Sequence, residues 1–344
     1  MKKILSMLAV CGMILAFLIA CGSGGKTPEK KEAEKAQTVA PTPVKSLRLG
    51  SHLPDTHSVV KAGAKLAELV AAKSNNKIEI KIYPNGTIGD QRALVEGLQI
   101  GTIDMSINDA GLLSNFDPKW GICDLPYLWK SYDHIRKAED GEVGKTLQEG
   151  LLLKGIRSLG WMDSGFRNVF ANKEIHSLKD MKGLKIRVPE APVYVQTFKL
   201  MGANPTPMAW GEVYTALQTK VVDGFEQPNE ATYTNKMYEV TKYLIKTQHL
   251  YTVLSFNVSE KVWQTLSEEE KSIISESAKE ASAFGRKLAE EVDGQYLVKL
   301  QEAGMKIIDV DLAEFQKVVQ PLWKEYGEKV GGMDLISKIV EVGK

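Results

Sequence analysis

The side chains that could catalyse a reaction or bind a metal ion lack the spacings that those chemistries require. Two histidines four residues apart on a helix can share a zinc ion, and a glutamate between them adds a general base. The five histidines include no such pair: His52, His57, His134, His176 and His249. A nucleophilic serine in a Gly-x-Ser-x-Gly turn is excluded at Ser164, because position 162 is methionine. The sequence therefore predicts a binding protein, with no metal, no cofactor and no enzymatic activity.

Two further candidates for chemistry are weak. Gly144-Lys145-Thr146 matches the end of a phosphate-binding loop, but Glu139 stands where that loop needs a glycine. Cys123 lies among apolar residues and has no basic neighbour that would stabilise a thiolate. We therefore expect Cys123 to pack as a small hydrophobic side chain.

The composition is that of a folded globular protein. Of its 344 residues, 43% are hydrophobic and 25% are charged. This length corresponds to about two domains. The 44 basic and 43 acidic side chains nearly cancel, so no strong field attracts the chain to a nucleic acid or to an anionic membrane. A nucleic-acid-binding function is therefore excluded.

The N-terminus has the layout of a secretory signal. Two lysines precede an apolar run over residues 4–20, which is shorter than the ~20 residues that a membrane-spanning helix needs. Leu18-Ile19-Ala20-Cys21 resembles the lipobox of bacterial lipoproteins, which implies a signal peptide at residues 1–20 and a lipid on Cys21. An uncleaved anchor and a plain secretory signal are the alternatives. Residues 21–45 then form a polar, flexible tether, and we expect an extracytoplasmic protein held at the membrane by its lipid alone.

The rest of the chain alternates between strand and helix patterns. Residues 47–49 alternate like a half-buried strand, residues 59–70 repeat with a helical period, and residues 78–82 alternate again. Further helices are predicted near residues 91–100 and 132–153, further strands near 156–160 and 167–171, and a long helix after the N-cap Ser267. Such alternation favours an α/β fold with open, parallel or mixed sheets.

Six motifs in a fixed order point to one family. The most specific is DMKGLKIRVP at residues 180–189. The others are YPNGTIGD at 83–90, GFR at 165–167, GANPTPM at 202–208, EVYTALQT at 212–219 and VDGFEQP at 222–228. In order and spacing they resemble the solute-binding proteins of tripartite ATP-independent periplasmic (TRAP) transporters, the DctP-type family. A solute receptor of an ATP-driven importer has similar lobes but is not expected to carry this series.

The resemblance implies a two-lobed periplasmic-binding-protein fold of the Venus-flytrap type, with crossing strands and a long hinge helix. Lobe one is expected at residues 46–164 plus 253–292, and lobe two at residues 165–252 plus 293–344. The implied partners are a small organic-acid ligand, bound between the lobes, and the membrane permease subunits of a TRAP transporter. A monomer is expected.

The resemblance also assigns the ligand-binding residues. A guanidinium can donate two parallel hydrogen bonds to a carboxylate, and the family role of carboxylate binder falls on Arg187. Arg167 matches a second family arginine that contacts or supports the same carboxylate, and Gln227 stands where many members have an asparagine amide. Trp210 matches an aromatic residue that covers the ligand, and Glu190 a position that contacts it. The expected contacts from lobe one are His52, Gln91, Asn108 and Asp109.

These side chains favour a hydroxylated monocarboxylate, such as a uronate, an aldonate or another sugar acid. Acidic side chains accept hydrogen bonds from ligand hydroxyls and disfavour a second ligand carboxylate. C4-dicarboxylates and sialic acid are the alternative ligands. Delivery of the ligand to a permease is the expected function. A receptor for a membrane sensor kinase is an alternative, as is an extracellular hydrolase or lyase, which would need an acid–base pair that the sequence does not provide.

Overall fold

The computed structural model describes residues 44–344, whose strands join in one mixed nine-stranded sheet. The strands are β1 (Lys45–Gly50), β2 (Ile78–Tyr83), β3 (Met105–Asp109), β4 (Ile156–Ala171), β5 (Lys185–Val188), β6 (Asn204–Pro207), β7 (Gly224–Pro228), β8 (Tyr243–Ser259) and β9 (Lys306–Ile308). The helices are α1 (Ser58–Lys73), α2 (Gln91–Ile100), α3 (Ala110–Leu113), α4 (Tyr132–Glu139), α5 (Glu142–Leu152), α6 (Pro192–Leu200), α7 (Val213–Gln218), α8 (Asn229–Thr234), α9 (Glu260–Trp263), α10 (Glu268–Glu302), α11 (Leu312–Val319), α12 (Pro321–Val330) and α13 (Met333–Val342). In space the strands follow the order β2-β1-β3-β8-β4-β7-β5-β6, and β9 lies beside β8.

Two long antiparallel strands in the middle of this order cross the whole molecule. Strands β4 and β8 have 16 and 17 residues, which corresponds to about 50 Å at ~3.3 Å per residue. At one end of this pair β8 is hydrogen-bonded to β3, and at the other end β4 is hydrogen-bonded to β7. We call the part around β1–β3 and α1–α5 the first lobe and the part around β5–β7 and α6–α8 the second lobe. The predicted α/β two-lobed fold with crossing strands is therefore confirmed.

The two strands predicted at residues 156–160 and 167–171 are one continuous strand, β4. Its pairing with β8 shifts register at three places, one of them between Asp163 and Gly165. Gly165 has φ of 100°, a conformation that other residues adopt only with strain. Because bulges bend a strand without ending it, the chain stays extended between the two predicted segments.

The long helix predicted after Ser267 is also confirmed. The side chain of Ser267 accepts a hydrogen bond from the Glu270 amide, and the Glu270 carboxylate accepts one from the Ser267 amide. The helix that follows, α10, has 35 residues, or roughly 52 Å at 1.5 Å per residue. A Cβ atom at Gly285 would lie 2.8 Å from the Cβ of Ala62, so the glycine permits close packing of α10 on α1.

The helix predicted at residues 132–153 is instead two helices, α4 and α5. Gly141 lies between them with ψ of −158°, an extended conformation that ends the helical path. A Cβ atom at Gly144 would lie 1.7 Å from the Glu139 carbonyl oxygen, so α5 can begin directly beside the end of α4 only because residue 144 is glycine.

The last two helices, α12 and α13, pack on the first lobe. Leu322 of α12 and Ile336 of α13 belong to one buried cluster with Trp120 and Leu147. The predicted boundary placed residues 293–344 in the second lobe, whereas these contacts tie residues 321–342 to residues of the first. None of the helices between residues 44 and 344 is both long enough and apolar enough to cross a bilayer. The predicted signal peptide, the lipidated Cys21 and nearly all of the tether lie outside the described residues.

Candidate functional site

A cavity of about 170 Å³ lies between the two lobes. Six of the nine predicted ligand-binding residues line it: His52, Gln91, Asp109, Arg187, Glu190 and Trp210. The other lining residues are Asn85, Gly86, Asp90, Arg92, Gly111, Leu112, Pro189, Tyr194, Met208, Ala209 and Gly211. The first lobe supplies the residues up to 112, and the second lobe supplies those from 187 onward. The cavity is therefore a candidate site for a ligand that contacts both lobes.

Arg187 is a buried cation whose binding edge is free. It lies in β5, which pairs with β6 and β7 in parallel, near the carboxyl ends of these strands. Its Nε and Nη2 donate hydrogen bonds of 3.0 and 2.7 Å to the carbonyl oxygen of Met208. A guanidinium has five N–H donors, so three remain, on Nη1 and Nη2. This edge can bind both oxygens of a carboxylate.

The surroundings hold the Arg187 guanidinium in place without neutralising it. Its Cζ lies 5.3 Å from the centre of the Trp210 ring, a favourable cation–π distance. Burial lowers the pKa of Arg187 to about 10, so the side chain stays charged at neutral pH. Within residues 44–344 its one hydrogen-bond acceptor is the Met208 carbonyl. A buried charge of this kind is costly unless an anion joins it.

Arg167, in contrast, uses four of its five N–H groups in hydrogen bonds to other protein groups. It is 0% exposed and donates from Nε and Nη2 to the carboxylate of Glu226, and from Nη1 to Thr252 Oγ1 at 2.8 Å. Burial would raise the pKa of Glu226, but the charge of Arg167 and hydrogen bonds from His249 and Arg167 lower it to about 2. Arg167 does not line the cavity. Its Cζ lies 5.0 Å from the ring of Tyr194, which does, so Arg167 can support the site from behind.

Two more predicted residues do not line the cavity. Asn108 is 0% exposed and donates from Nδ2 to the carbonyl oxygen of Gln91 at 3.3 Å, so it holds the start of α2. Gln227 is buried in β7, where it pairs with Asn168 of β4. The longer glutamine side chain in place of the usual asparagine therefore does not bring its amide to the cavity wall.

The wall of the first lobe is a small hydrogen-bonded network around Gln91. The Gln91 side chain donates to Asp109 Oδ2 at 3.1 Å and accepts from the Asp109 amide at 3.0 Å. Its Nε2 also lies 3.3 Å from Nε2 of His52. Burial is the main reason that the pKa of His52 falls to about 4, so this ring is neutral at pH 7. With Nε2 accepting from Gln91, its proton would reside on Nδ1, a buried atom without a hydrogen-bond partner in the described chain.

Sequence reasoning missed several residues of the cavity, chiefly Arg92 and Tyr194. Arg92 is the second residue of α2, and its Nε lies 3.8 Å from Glu190 Oε2 of the other lobe. Tyr194 donates from its hydroxyl to Asp124 Oδ1 at 3.0 Å, again between the lobes. The position of Arg92 directly after Gln91 was the available signal. Tyr194 gave none, because an aromatic residue on an amphipathic helix is usually part of the core.

The buried His52 predicts a pH dependence of stability. Its folded-state pKa of about 4 lies below the ordinary histidine pKa of 6.5, so the unfolded chain binds the proton more tightly and His52 stabilises the fold above pH 6.5. This contribution decreases as the pH falls toward 4, by about 1–2 kcal/mol between pH 7 and pH 5. Urea unfolding at both pH values measures it. In His52→Gln the loss of stability between the two pH values should be smaller than in the wild type.

His176 is the matched control, because its side chain is 64% exposed. His176→Gln should lose as much stability between pH 7 and pH 5 as the wild type. An unchanged pH response in His52→Gln would contradict a neutral, buried His52.

Fold and site together define a class: a two-lobed solute-binding protein with a cation at the interlobe cavity. The family model for bacterial extracellular solute-binding protein, family 7 (DctP), matches residues 49–329. The 2,3-diketo-L-gulonate-binding periplasmic protein YiaO of Escherichia coli K12 is 32% identical over 301 residues, covering 86% of this chain and 92% of the relative. The sialic acid-binding periplasmic protein SiaP of Vibrio cholerae is 33% identical over 275 residues, covering 80% and 85%.

A solved structure indicates the same family. A TRAP periplasmic solute-binding protein of Citrobacter koseri with bound D-glucuronate superposes with a TM-score of 0.84 at 31% identity, covering 87% of this chain and 100% of that one. The chain therefore belongs to the bacterial extracellular solute-binding proteins of family 7, the DctP-type family of TRAP solute-binding proteins. The relatives differ in the ligand for which they are named, so the ligand of this chain has to be inferred from its own site.

Proposed function

We propose that this protein is the extracytoplasmic receptor of a TRAP transporter and binds a hydroxylated monocarboxylate, such as an aldonate or a uronate, in the interlobe cavity. The observation that carries the proposal is Arg187, a buried guanidinium with three free N–H donors at the cavity. A ligand carboxylate would occupy those donors and compensate the buried charge. The D-glucuronate bound by the Citrobacter koseri protein is an acid of this class.

The other charged groups of the cavity favour one ligand carboxylate over two. Asp109 and Glu190 line the same cavity as Arg187, and both are hydrogen-bond acceptors suited to ligand hydroxyls. A second ligand carboxylate would face these like charges, which costs several kcal/mol at an interface. The volume of about 170 Å³ lies below the ~300–1,000 Å³ of sites for drug-sized ligands. It therefore suits a six-carbon acid better than the larger sialic acid.

The same proposal covers the arrangement of the chain and its partners. Closure of the lobes over the ligand presents one rigid surface to the permease subunits, while the protein itself catalyses no reaction. We retain residues 46–164 plus 253–292 for lobe one and 165–252 plus 293–320 for lobe two, and propose moving residues 321–344 to lobe one because α12 and α13 pack there. A lipid on Cys21 would hold the monomeric receptor at the membrane.

Calorimetric titration of the purified protein with an acid panel tests the ligand class. The panel contains galactonate, gluconate, galacturonate and glucuronate, with succinate, N-acetylneuraminate and neutral galactose as comparisons. We expect at least one sugar acid to bind, and at 100 times its Kd to stabilise the fold by about 2.7 kcal/mol in a thermal-shift assay. The bound acid should be recovered unchanged. A response to succinate alone would contradict the proposed class, and conversion of the acid would contradict a receptor without enzymatic activity.

A further inference from the structure

Arg92 and Glu190 come from opposite lobes and lie close to each other at the cavity. Arg92 lies in the first turn of α2 in the first lobe, and Glu190 follows β5 in the second lobe. Their nearest charged atoms, Nε and Oε2, are 3.8 Å apart, and the two side chains are 39% and 36% exposed. Both line the same cavity as Arg187. The ligand would therefore have a second guanidinium near it, one that already has an anionic partner.

The position of Glu190 is fixed from the first lobe. Asn115 donates from Nδ2 to the main-chain carbonyl oxygen of Glu190 at 2.8 Å, in addition to the contact with Arg92. The separation of 3.8 Å is too long for a hydrogen bond between Arg92 and Glu190. A partly exposed ion pair of this kind contributes only about 0–1 kcal/mol to stability. The pair therefore contributes little to the stability of the fold, and its place in the cavity suggests a role in ligand selection.

We propose that Glu190 masks Arg92 and thereby makes the site selective for acids with a single carboxylate. This inference rests on the proposed function and names the residues that select the ligand. Paired with Glu190, Arg92 presents no net charge to the far end of the ligand. A hydroxyl group fits this pair because it can accept a hydrogen bond from the guanidinium and donate one to the carboxylate.

A second carboxylate at that end meets a different environment. It would compete with Glu190 for Arg92 while being repelled by Glu190 itself, and Asp90 and Asp109 add negative charge to the same cavity. Selectivity arises here from a repulsive element as much as from an attractive one. Without the negative charge of Glu190, Arg92 and Arg187 would be two guanidiniums facing one cavity, a pair suited to a dicarboxylate.

The test compares galactonate with galactarate, which differ at one end: a hydroxyl group in the former and a carboxylate in the latter. Calorimetric Kd values are measured for the wild type, Glu190→Gln, and the double variant Glu190→Gln/Arg92→Gln. We expect the ratio of the two Kd values to shift at least ~10-fold toward galactarate in Glu190→Gln, which corresponds to about 1.4 kcal/mol. In the double variant, which lacks the unmasked guanidinium, the shift should disappear.

Glu212→Gln is the matched control, because it removes one negative charge from the exposed surface of the same lobe without touching the cavity. The ratio of the galactonate and galactarate Kd values in Glu212→Gln should equal that of the wild type. If the wild type binds galactonate but Glu190→Gln leaves the ratio unchanged, or if the shift persists in the double variant, the masking role is overturned and the receptor function stands. If the wild type binds no acid of the panel, both proposals fail.

Discussion

Replacing Arg187 by alanine is expected to weaken binding of the acid ligand by about 2–5 kcal/mol, or roughly 30- to 5,000-fold in Kd. The variant removes the two end-on N–H donors that would bind the carboxylate. It leaves the ligand anion buried between the lobes without its compensating charge, and the hydrogen bonds to Met208 are lost as well. Calorimetry with the tightest acid of the panel gives the change in Kd directly.

Two further variants complete this test: Arg187→Lys separates charge from geometry, and Arg157→Gln is the control. Arg187→Lys keeps a cation but cannot form the same pair of parallel hydrogen bonds, so it should bind more weakly than the wild type and more tightly than Arg187→Ala. Arg157→Gln removes an arginine that pairs with Glu260 at 2.8 Å and does not line the cavity, so its Kd should equal that of the wild type. Full affinity in a folded Arg187→Ala variant would exclude Arg187 from the site.

Replacing Arg167 by methionine is expected to destabilise the fold by about 3–5 kcal/mol, because it leaves the carboxylate of Glu226 buried without its cation. Both side chains are 0% exposed, so water cannot replace the lost hydrogen bonds. His249 remains 3.2 Å from Glu226 Oε2, but burial lowers the pKa of His249 and opposes a compensating charge there. Equilibrium unfolding in urea at pH 7 measures the loss.

The double variant Arg167→Met/Glu226→Gln tests whether the unpaired charge of Glu226 causes this loss of stability. It removes both charges, so much of the lost stability should return, since the largest cost is that of an unpaired buried ion. Arg48→Met serves as the surface control: Arg48 pairs with Asp104 at 2.9 Å but is 43% exposed, and its loss should cost at most about 1 kcal/mol. Equal losses in Arg48→Met and Arg167→Met would contradict a special role for the buried pair.

Local signals account for the elements that were predicted correctly. Helix α2 begins at Gln91 as expected, since the Asp90 side chain caps it by accepting from the Ala93 amide at 2.9 Å. It ends at Ile100, where Gly101 adopts φ of 84°. The capping box at Ser267 similarly marks the start of α10. Such signals involve residues within four positions of each other and are readable from the chain.

Pairing over long distances in the chain accounts for what could not be predicted. The order of the strands places β8 between β3 and β4, a neighbour relation set by packing of the whole sheet. The two segments predicted for β4 are joined because β8 pairs with the residues between them as well. The break between α4 and α5 depends on how closely Gly144 approaches Glu139 once both helices are packed.

The candidate site divides in the same way. The sequence by itself determined the kind of chemistry, since arginine, tryptophan and acidic residues in motifs of one family indicated a carboxylate receptor, and Arg187 lies at the cavity where the motif placed it. Only the tertiary structure decided which arginines are available. The guanidinium of Arg167 is paired with the carboxylate of Glu226, 59 residues away. Arg92 lies near Glu190 only when the two lobes come together. The amino-acid sequence sets the type of each side chain. Which of its hydrogen-bond donors stay free depends on folding, because their partners come from distant parts of the chain.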